Sequence, residues 1–128
     1  METRGRKLVL VVEDDPDILE LLRLVLEGEG YAVTTAENGR EGLDAVARAR
    51  PDLILLDMKM PVMDGWAFAR EYHARHDGES PIVVVTAADD ARKRAREVDA
   101  ADWVAKPMEL DELLAVVARH AGAPAAPA

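Results

Sequence analysis

Residues 8–16 read LVLVVEDDP, a stretch in which the chain passes from one kind of secondary structure to another. The five apolar residues that come first include three valines, and they predict a short strand buried on both faces. Three acids follow, Glu13, Asp14 and Asp15. Because Asp15 suits a helix N-cap and Pro16 suits the first helical turn, we predict a helix from Pro16 onward.

The same alternation of short apolar runs and amphipathic segments recurs to the end of the chain. It predicts five strands and five helices, and therefore a parallel sheet covered on both faces with right-handed crossovers. The second strand is more polar than the others and is expected at an edge of the sheet. After the first strand and helix, the predicted strands cover residues 31–36, 53–56, 82–85 and 103–105, and the predicted helices cover residues 40–50, 66–76, 92–98 and 109–120.

Length and composition indicate one domain. Of 128 residues, we assign residues 7–121 to the domain, between a disordered N-terminal segment (1–6) and a flexible Ala/Pro tail (122–128). The absence of cysteine excludes a disulfide framework and a thiolate nucleophile. A net charge of −9 argues against direct nucleic-acid binding, and no apolar run approaches the ~20 residues that span a bilayer. We therefore expect a cytoplasmic protein without membrane contact.

One basic cluster departs from the acidic balance of the chain. Arg92, Lys93, Arg94 and Arg96 fall within the predicted fourth helix. Two interpretations remain open at this point: a solvated helix face, or a docking surface for an acidic partner.

Reactive side chains follow the apolar runs. Asp57 follows the third predicted strand, Thr86 the fourth and Lys106 the fifth, as the acids at 13–15 follow the first. The carboxyl ends of parallel strands lie at one edge of the sheet, where open α/β sheets bind ligands. With the second strand at an edge, the first and third are neighbours, so we expect Asp14 and Asp57 to face each other.

These residue types suit phosphoryl chemistry. Carboxylates gathered in one cleft repel each other, and Mg²⁺ relieves that repulsion because it prefers oxygen ligands and keeps several waters. Lys106 adds positive charge, Thr86 adds a hydroxyl, and backbone N–H groups near Met58 and Ala87 would bind phosphoryl oxygens. We therefore predict a Mg²⁺-dependent site with Asp57 as the nucleophile.

Each of these residues also has an ordinary structural interpretation. Asp15 is a helix cap by itself, and Glu13 is either a solvated loop acid or a metal ligand acting through water. Thr86 suits any strand, and Lys106 suits any loop. We give weight to the combination, in which four residue types occur in order at four strand ends.

This combination resembles the receiver domain of bacterial two-component response regulators. The matching segments are EDD at 13–15, DMKMPVMDG at 57–65, VTA at 85–87 and AKP at 105–107, and the resemblance covers about residues 7–120. It implies a flavodoxin-like doubly wound fold, a five-stranded parallel sheet in the order 2-1-3-4-5 flanked by five helices. It also implies a phosphoacceptor switch, not an enzyme.

The resemblance implies a role for each matched residue around the metal and the phosphoryl group. Asp57 would accept the phosphoryl group, and Asp14 would bind Mg²⁺ directly. Glu13 would act beside it, through water, and Lys59 would offer its backbone carbonyl. Met58 and Ala87 keep the phosphate-binding role given above.

The resemblance further implies a switch and its partners. Thr86 would contact the phosphoryl group and shift, Lys106 would pair with that group, and Trp103 would swing inward; the Lys106–Pro107 bond would be cis. A sensor histidine kinase or phosphotransfer protein would be the donor, and a downstream protein or a missing output domain would be the target. The face of the fourth helix, fifth strand and fifth helix would be the output surface, and a candidate surface for a homodimer.

The sequence departs from the family pattern at three positions. Asp99 replaces a usual glycine, Met108 a frequent phenylalanine, and Trp103 a smaller aromatic. We expect either a stand-alone receiver or a receiver cut from a larger protein.

Two other functions remain as alternatives. A phosphohydrolase of the haloacid-dehalogenase type would need a second aspartate where Lys59 stands. The second alternative is a receiver-like module that binds proteins without being phosphorylated.

Overall fold

Five strands and five helices alternate along residues 5–76 and 79–124, the parts of the chain that this computed structural model describes. Most of the predicted disordered segment and of the predicted tail lies outside the described residues. The elements are β1 (Leu8–Val12), α1 (Pro16–Gly28), β2 (Ala32–Ala36), α2 (Gly39–Arg48), β3 (Leu53–Leu56), α3 (Gly65–His76), β4 (Ile82–Ala87), α4 (Ala91–Glu97), β5 (Asp102–Lys106) and α5 (Leu110–Ala121).

The five strands form one parallel sheet in the order β2-β1-β3-β4-β5. This confirms the predicted fold class and strand order. The residues of β2 are mostly half-buried, as expected for an edge strand, whereas every residue of β3 is buried.

The sheet separates two apolar cores. Successive side chains of a strand point to opposite faces, so Leu10 and Val12 pack in one core while Val9 and Val11 pack in the other. Helices α2, α3 and α4 cover the first core, and α1 and α5 cover the second. Burial on both faces explains why β1 is apolar at consecutive positions.

Local signals position the helices close to their predicted bounds. Asp15 caps α1 as predicted, since its Oδ1 accepts hydrogen bonds from Asp17 N–H at 2.9 Å and Ile18 N–H at 3.3 Å. Asn38 caps α2 in the same way through Glu41 N–H at 2.9 Å. Within the described residues no helix has the length and apolar character needed to cross a membrane.

Two strands extend further than the apolar runs that predicted them. β4 continues through Thr86 to Ala87, and β5 runs through Lys106. Thr86 pairs with Ala105 and Ala87 with Lys106 in the ladder, because backbone pairing does not depend on side-chain polarity. These residues therefore belong to the strand ends and do not follow them.

Asp99 stands before β5 with φ +54°, in the left-handed region. This conformation explains why a glycine suits this position, and aspartate is among the few other residues that tolerate it. The Lys106–Pro107 peptide bond is cis, as the resemblance implied.

Candidate functional site

Backbone hydrogen bonds bring two acids together at the carboxyl edge of the sheet. Glu13 N–H donates to Ala36 O at 3.0 Å and so continues the pairing of β1 with β2. Asp57 N–H donates to Val12 O at 2.9 Å and continues the pairing of β3 with β1. The side chains that follow these two central strands are therefore neighbours, because their backbones are still held in the ladder.

Three carboxylates form one cluster at this edge. Glu13, Asp14 and Asp57 each offer an oxygen, and these oxygens lie within 4.8 Å of one another. Glu13 and Asp57 are buried, with 2% and 7% of their surface exposed, whereas Asp14 is exposed. The cluster thus opens to solvent on the side of Asp14, and it brings together the two aspartates that the strand order was expected to juxtapose.

Lys106 reaches this cluster from β5. Its Nζ lies 3.0 Å from Glu13 Oε1, in a hydrogen-bonded ion pair, and 3.6 Å from Asp57 Oδ1. The long side chain spans the end of β4, which lies between β5 and β3 in the sheet. One ammonium group therefore partly compensates two buried carboxylates.

The pairing of Glu13 with Lys106 was not anticipated from the sequence. The sequence alone indicates a loop acid or a water-mediated ligand at Glu13, whereas in the structure its Oε2 also accepts a hydrogen bond from Asp15 N–H at 3.1 Å. A residue held in this way from both carboxylate oxygens positions Lys106 and the start of α1. No sequence signal identifies the pair, since its members are 93 residues apart.

The electrostatics of the cluster favour a bound cation. Burial raises the pKa of Asp57 to about 7, the nearby Glu13 carboxylate adds to the rise, and the Lys106 ammonium opposes it. Burial alone would lower the pKa of Lys106, but its hydrogen bond to Glu13 and the two carboxylate charges raise it overall. The ionised form of Asp57 therefore remains unfavourable, because of its burial and the nearby Glu13 charge, and a divalent cation would offset both effects.

The other predicted site residues surround Asp57 at different depths. Met58 is fully buried, and its N–H donates to Asp57 Oδ1 at 2.8 Å. Thr86 is buried at the end of β4, while Ala87 is exposed beside it. Lys59 lies in the loop after β3 with its side chain exposed.

Trp103, the predicted switch aromatic, lies on β5 with 40% of its surface exposed. Its backbone pairs with Val84 in β4, two residues before Thr86. The indole therefore faces outward in this arrangement of the domain.

Gly65 is a site residue whose physical role sequence reasoning missed. A Cβ at this position would lie 2.7 Å from the Asp57 carbonyl oxygen and 2.7 Å from Met58 Sδ. Gly65 N–H also donates to Met58 O at 2.8 Å, so the first residue of α3 packs directly on the backbone of the site. The Asp-Gly pair at 64–65 predicts a turn, but it does not predict that Gly65 contacts the backbone of Asp57 and Met58. That contact depends on how the loop between β3 and α3 folds.

The fold and the cluster define a receiver domain, and comparison with known proteins agrees. The family model of the response regulator receiver domain matches residues 9–118. The chain belongs to this family and so to two-component signalling, in which receiver domains are switches and not classical enzymes.

Two curated relatives illustrate the similarity. The chain is 43% identical over 109 residues to the response regulator MprA of Mycolicibacterium vanbaalenii. It is 41% identical over 109 residues to the uncharacterized transcriptional regulatory protein YkoG of Bacillus subtilis. Each alignment covers 84% of this chain and 47% of the relative, so the chain spans about half the length of the curated relatives it matches.

Two solved structures share the fold. The receiver domain of a Pseudomonas aeruginosa sensor histidine kinase, with a magnesium ion coordinated in its active site cleft, superposes with a TM-score of 0.83 at 32% identity, covering 93% of this chain and 100% of that one. The response regulator TrrA of Thermotoga maritima, in complex with Mg²⁺ and BeF, superposes with a TM-score of 0.79 at 36% identity, and the match covers 88% of this chain and 97% of that one.

Proposed function

We propose that this domain is a phosphoacceptor switch in which Asp57 gains a phosphoryl group from a phosphohistidine donor in a Mg²⁺-dependent reaction. The observation that carries the proposal is the cluster of Glu13, Asp14 and Asp57 oxygens within 4.8 Å, with the Lys106 ammonium 3.6 Å from Asp57. Acidic clusters alone are common. Asp57, however, is buried and lies next to both the Lys106 ammonium group and the Met58 backbone N–H, an arrangement that suits nucleophilic attack on phosphorus.

Asp57 is the best nucleophile of the three acids. Its Oδ1 is near both Lys106 Nζ and Met58 N–H, groups that would also contact the oxygens of an incoming phosphoryl group. In the transfer, a carboxylate oxygen of ionised Asp57 forms the bond to phosphorus while the bond from phosphorus to the donor imidazole breaks. Thr86, at the adjacent strand end, would offer its hydroxyl, and Ala87 its backbone N–H.

The residues present fit Mg²⁺. Asp14 and Asp57 would bind it directly, Glu13 through water, and Lys59 through its backbone carbonyl, an all-oxygen set of the kind Mg²⁺ prefers. When bound, Mg²⁺ would offset the repulsion among the carboxylates and neutralise charge on the phosphoryl oxygens. Glu13 keeps Lys106 in place beside Asp57 in either case.

Phosphorylation would act through the strand ends. New negative charge at Asp57 would attract Thr86 and Lys106. As Thr86 shifts toward the phosphoryl group, Trp103 would turn inward. The surface formed by α4, β5 and α5 would then change and bind a downstream protein or an output domain, or pair two copies of the chain. A histidine kinase or phosphotransfer protein is the proposed phosphoryl donor. Because the phosphohistidine of such a donor is made from ATP, we propose that the reaction takes place in the cytoplasm.

Intact mass after incubation with acetyl phosphate and Mg²⁺ tests the proposal. We expect the wild type to gain the mass of one phosphoryl group, and to gain none when EDTA replaces Mg²⁺. Asp57→Asn should gain none, and the matched control Asp44→Asn, at an exposed position on α2, should behave as the wild type. An adduct on Asp57→Asn would refute the assignment, and a wild type that neither gains mass nor binds Mg²⁺ would favour a protein-binding module.

A further inference from the structure

Helix α4 has little stability of its own. It has seven residues, and isolated helices shorter than ~12–15 residues are marginal in water. The side chain of Asp90 makes no capping hydrogen bond, and the first turn carries Arg92 and Lys93 where the helix dipole favours acids. Its buried side chains within the helix are two alanines, which bury little apolar area. Contacts from neighbouring elements therefore decide where α4 sits.

The first such contact comes from Trp66 in the first turn of α3. Its Nε1–H donates to Glu97 Oε1 at 2.9 Å, and its ring lies 5.0 Å from the guanidinium carbon of Arg94. Arg94 also donates to Glu97 Oε1 at 3.1 Å. Hydrogen bonds from Trp66 and Arg94 lower the pKa of Glu97, so the acceptor stays ionised near neutral pH. Trp66 thus bridges α3 to the last turn of α4.

The second contact comes from His73, seven residues further along α3 and on the same helical face. Its Nε2 lies 2.9 Å from the carbonyl oxygen of Val98, the residue that ends α4. A carbonyl oxygen accepts only, so Nε2 carries the proton of this hydrogen bond. Between Trp66 and His73, residues of both helices line a cavity of about 280 Å³. The hydrogen bonds of Trp66 and His73 to α4 therefore flank a cleft, and the two helices are not closely packed between them.

The opposite end of α4 is coupled to the site. Asp90 N–H donates to Ala87 O at 3.0 Å, and Arg94 N–H donates to Asp90 O at 2.8 Å, so a short hydrogen-bonded turn joins the end of β4 to α4. Any displacement of Thr86 and Ala87 would be passed to the helix through this turn. One end of α4 thus follows the site, and the other end is held by α3.

We propose that Trp66 and His73 form a clasp, which holds the last turn of α4 in the arrangement where Trp103 faces outward and so limits how readily Asp57 is phosphorylated. This regulation rests on the proposed function of Asp57. Because the proposed switch changes the surface formed by α4, β5 and α5, the free energy of contacts that hold α4 in place opposes the switch. Loosening the clasp would then raise the population that is ready for phosphorylation.

Two variants loosen the clasp in different ways. Trp66→Phe keeps an aromatic ring but removes the N–H donor. His73→Phe likewise keeps an aromatic ring but removes the hydrogen bond to Val98 O. Neither substitution changes a residue of α4, so faster opening of α4 would not come from a change in its own helix propensity or internal ion pairs. Glu71→Ala is the matched control, because it breaks an exposed 3.1 Å pair with Arg75 within α3 and does not involve α4.

Two measurements on the full chain test the clasp. Amide hydrogen exchange of residues 91–98, without metal or phosphodonor, should be about two- to tenfold faster in both variants, the range that one net hydrogen bond represents. The initial rate of adduct formation with acetyl phosphate and Mg²⁺ should rise by a similar factor. Glu71→Ala should match the wild type in both measurements.

Failure has distinguishable forms. Unchanged exchange in both variants would refute the clasp, and faster exchange without a faster rate would show a purely structural contact and overturn the regulation. A wild type that forms no adduct would instead refute the proposed function, and the regulation with it, before any variant is compared.

Discussion

Lys106 and Glu13 form an ion pair of 3.0 Å across the carboxyl edge of the sheet, between residues that are 93 positions apart. The Glu13 side chain is 3% exposed and the Lys106 side chain 24% exposed, so solvent compensates the lysine better than the glutamate. The pair holds the ammonium group near Asp57 and neutralises a buried charge.

Removing the lysine should therefore cost stability because it leaves Glu13 buried without its partner. We expect Lys106→Met to lower the free energy of unfolding by about 1–3 kcal/mol in urea titrations with EDTA present. Adding Glu13→Gln should restore part of the loss, since a neutral side chain needs no counter-charge. Losses that simply add in the double variant would contradict the coupling.

The raised pKa of Asp57 predicts a stability that falls as pH rises. Burial and Glu13 raise its pKa to about 7 in the folded state, against ~3.9 for an unfolded aspartate. The folded state keeps the Asp57 proton to a higher pH than the unfolded state does. Ionising Asp57 therefore does not lower the free energy of unfolding below about pH 4, lowers it progressively between about pH 4 and 7, and has its full effect above that range.

Asp57→Asn should remove this cost. In EDTA, we expect the variant to gain stability over the wild type at pH 8, by on the order of 1.4 kcal/mol for each unit of pKa shift, and to gain little near pH 4. Chemical denaturation at both pH values measures the difference. Asp44→Asn, exposed on α2, should show no such trend, and an equal effect of Asp57→Asn at both pH values would disprove the raised pKa.

Replacing Gly65 even with alanine should be poorly tolerated. A Cβ there would lie 2.7 Å from the Asp57 carbonyl oxygen, a backbone atom that cannot move without disturbing the site. We expect Gly65→Ala to cost about 1–3 kcal/mol and to slow adduct formation at Asp57. Gly28→Ala, at the end of α1 with nothing within 4 Å of the new Cβ, should be neutral or stabilising by up to ~1 kcal/mol. Equal effects of the two variants would contradict the close approach.

Two positions with left-handed backbone should respond differently to glycine. Val62 has φ +69° and Asp99 has φ +54°. A β-branched residue tolerates this region worse than aspartate does, so Val62→Gly should stabilise the domain by about 1 kcal/mol and Asp99→Gly by about 0.5 kcal/mol or less. Asp99→Ala should destabilise it. Thermal unfolding ranks the variants, and a gain for Asp99→Ala would exclude the left-handed conformation.

The contact of β1 with β3 and the meeting of the acids were accessible from the sequence because both follow from general rules, whereas the full strand order was implied by the family resemblance. A polar second strand belongs at an edge, which makes β1 and β3 neighbours, and the residues after them must then converge. The register agrees, with Val12 opposite Leu56. The ends of β4 and β5 were predicted less well, because Thr86 and Lys106 stay in the ladder although their side chains are polar.

The sequence by itself determined which residues are apolar on both faces, where the helices begin, and which chemical groups arrive at one edge of the sheet, since these depend on local order and periodicity. Only the tertiary structure decided that Glu13 pairs with Lys106, that Gly65 packs on the Asp57 backbone, and that Trp66 and His73 reach α4. Those contacts join distant segments, and their distances depend on how the helices pack against the sheet, which no local pattern of residues specifies.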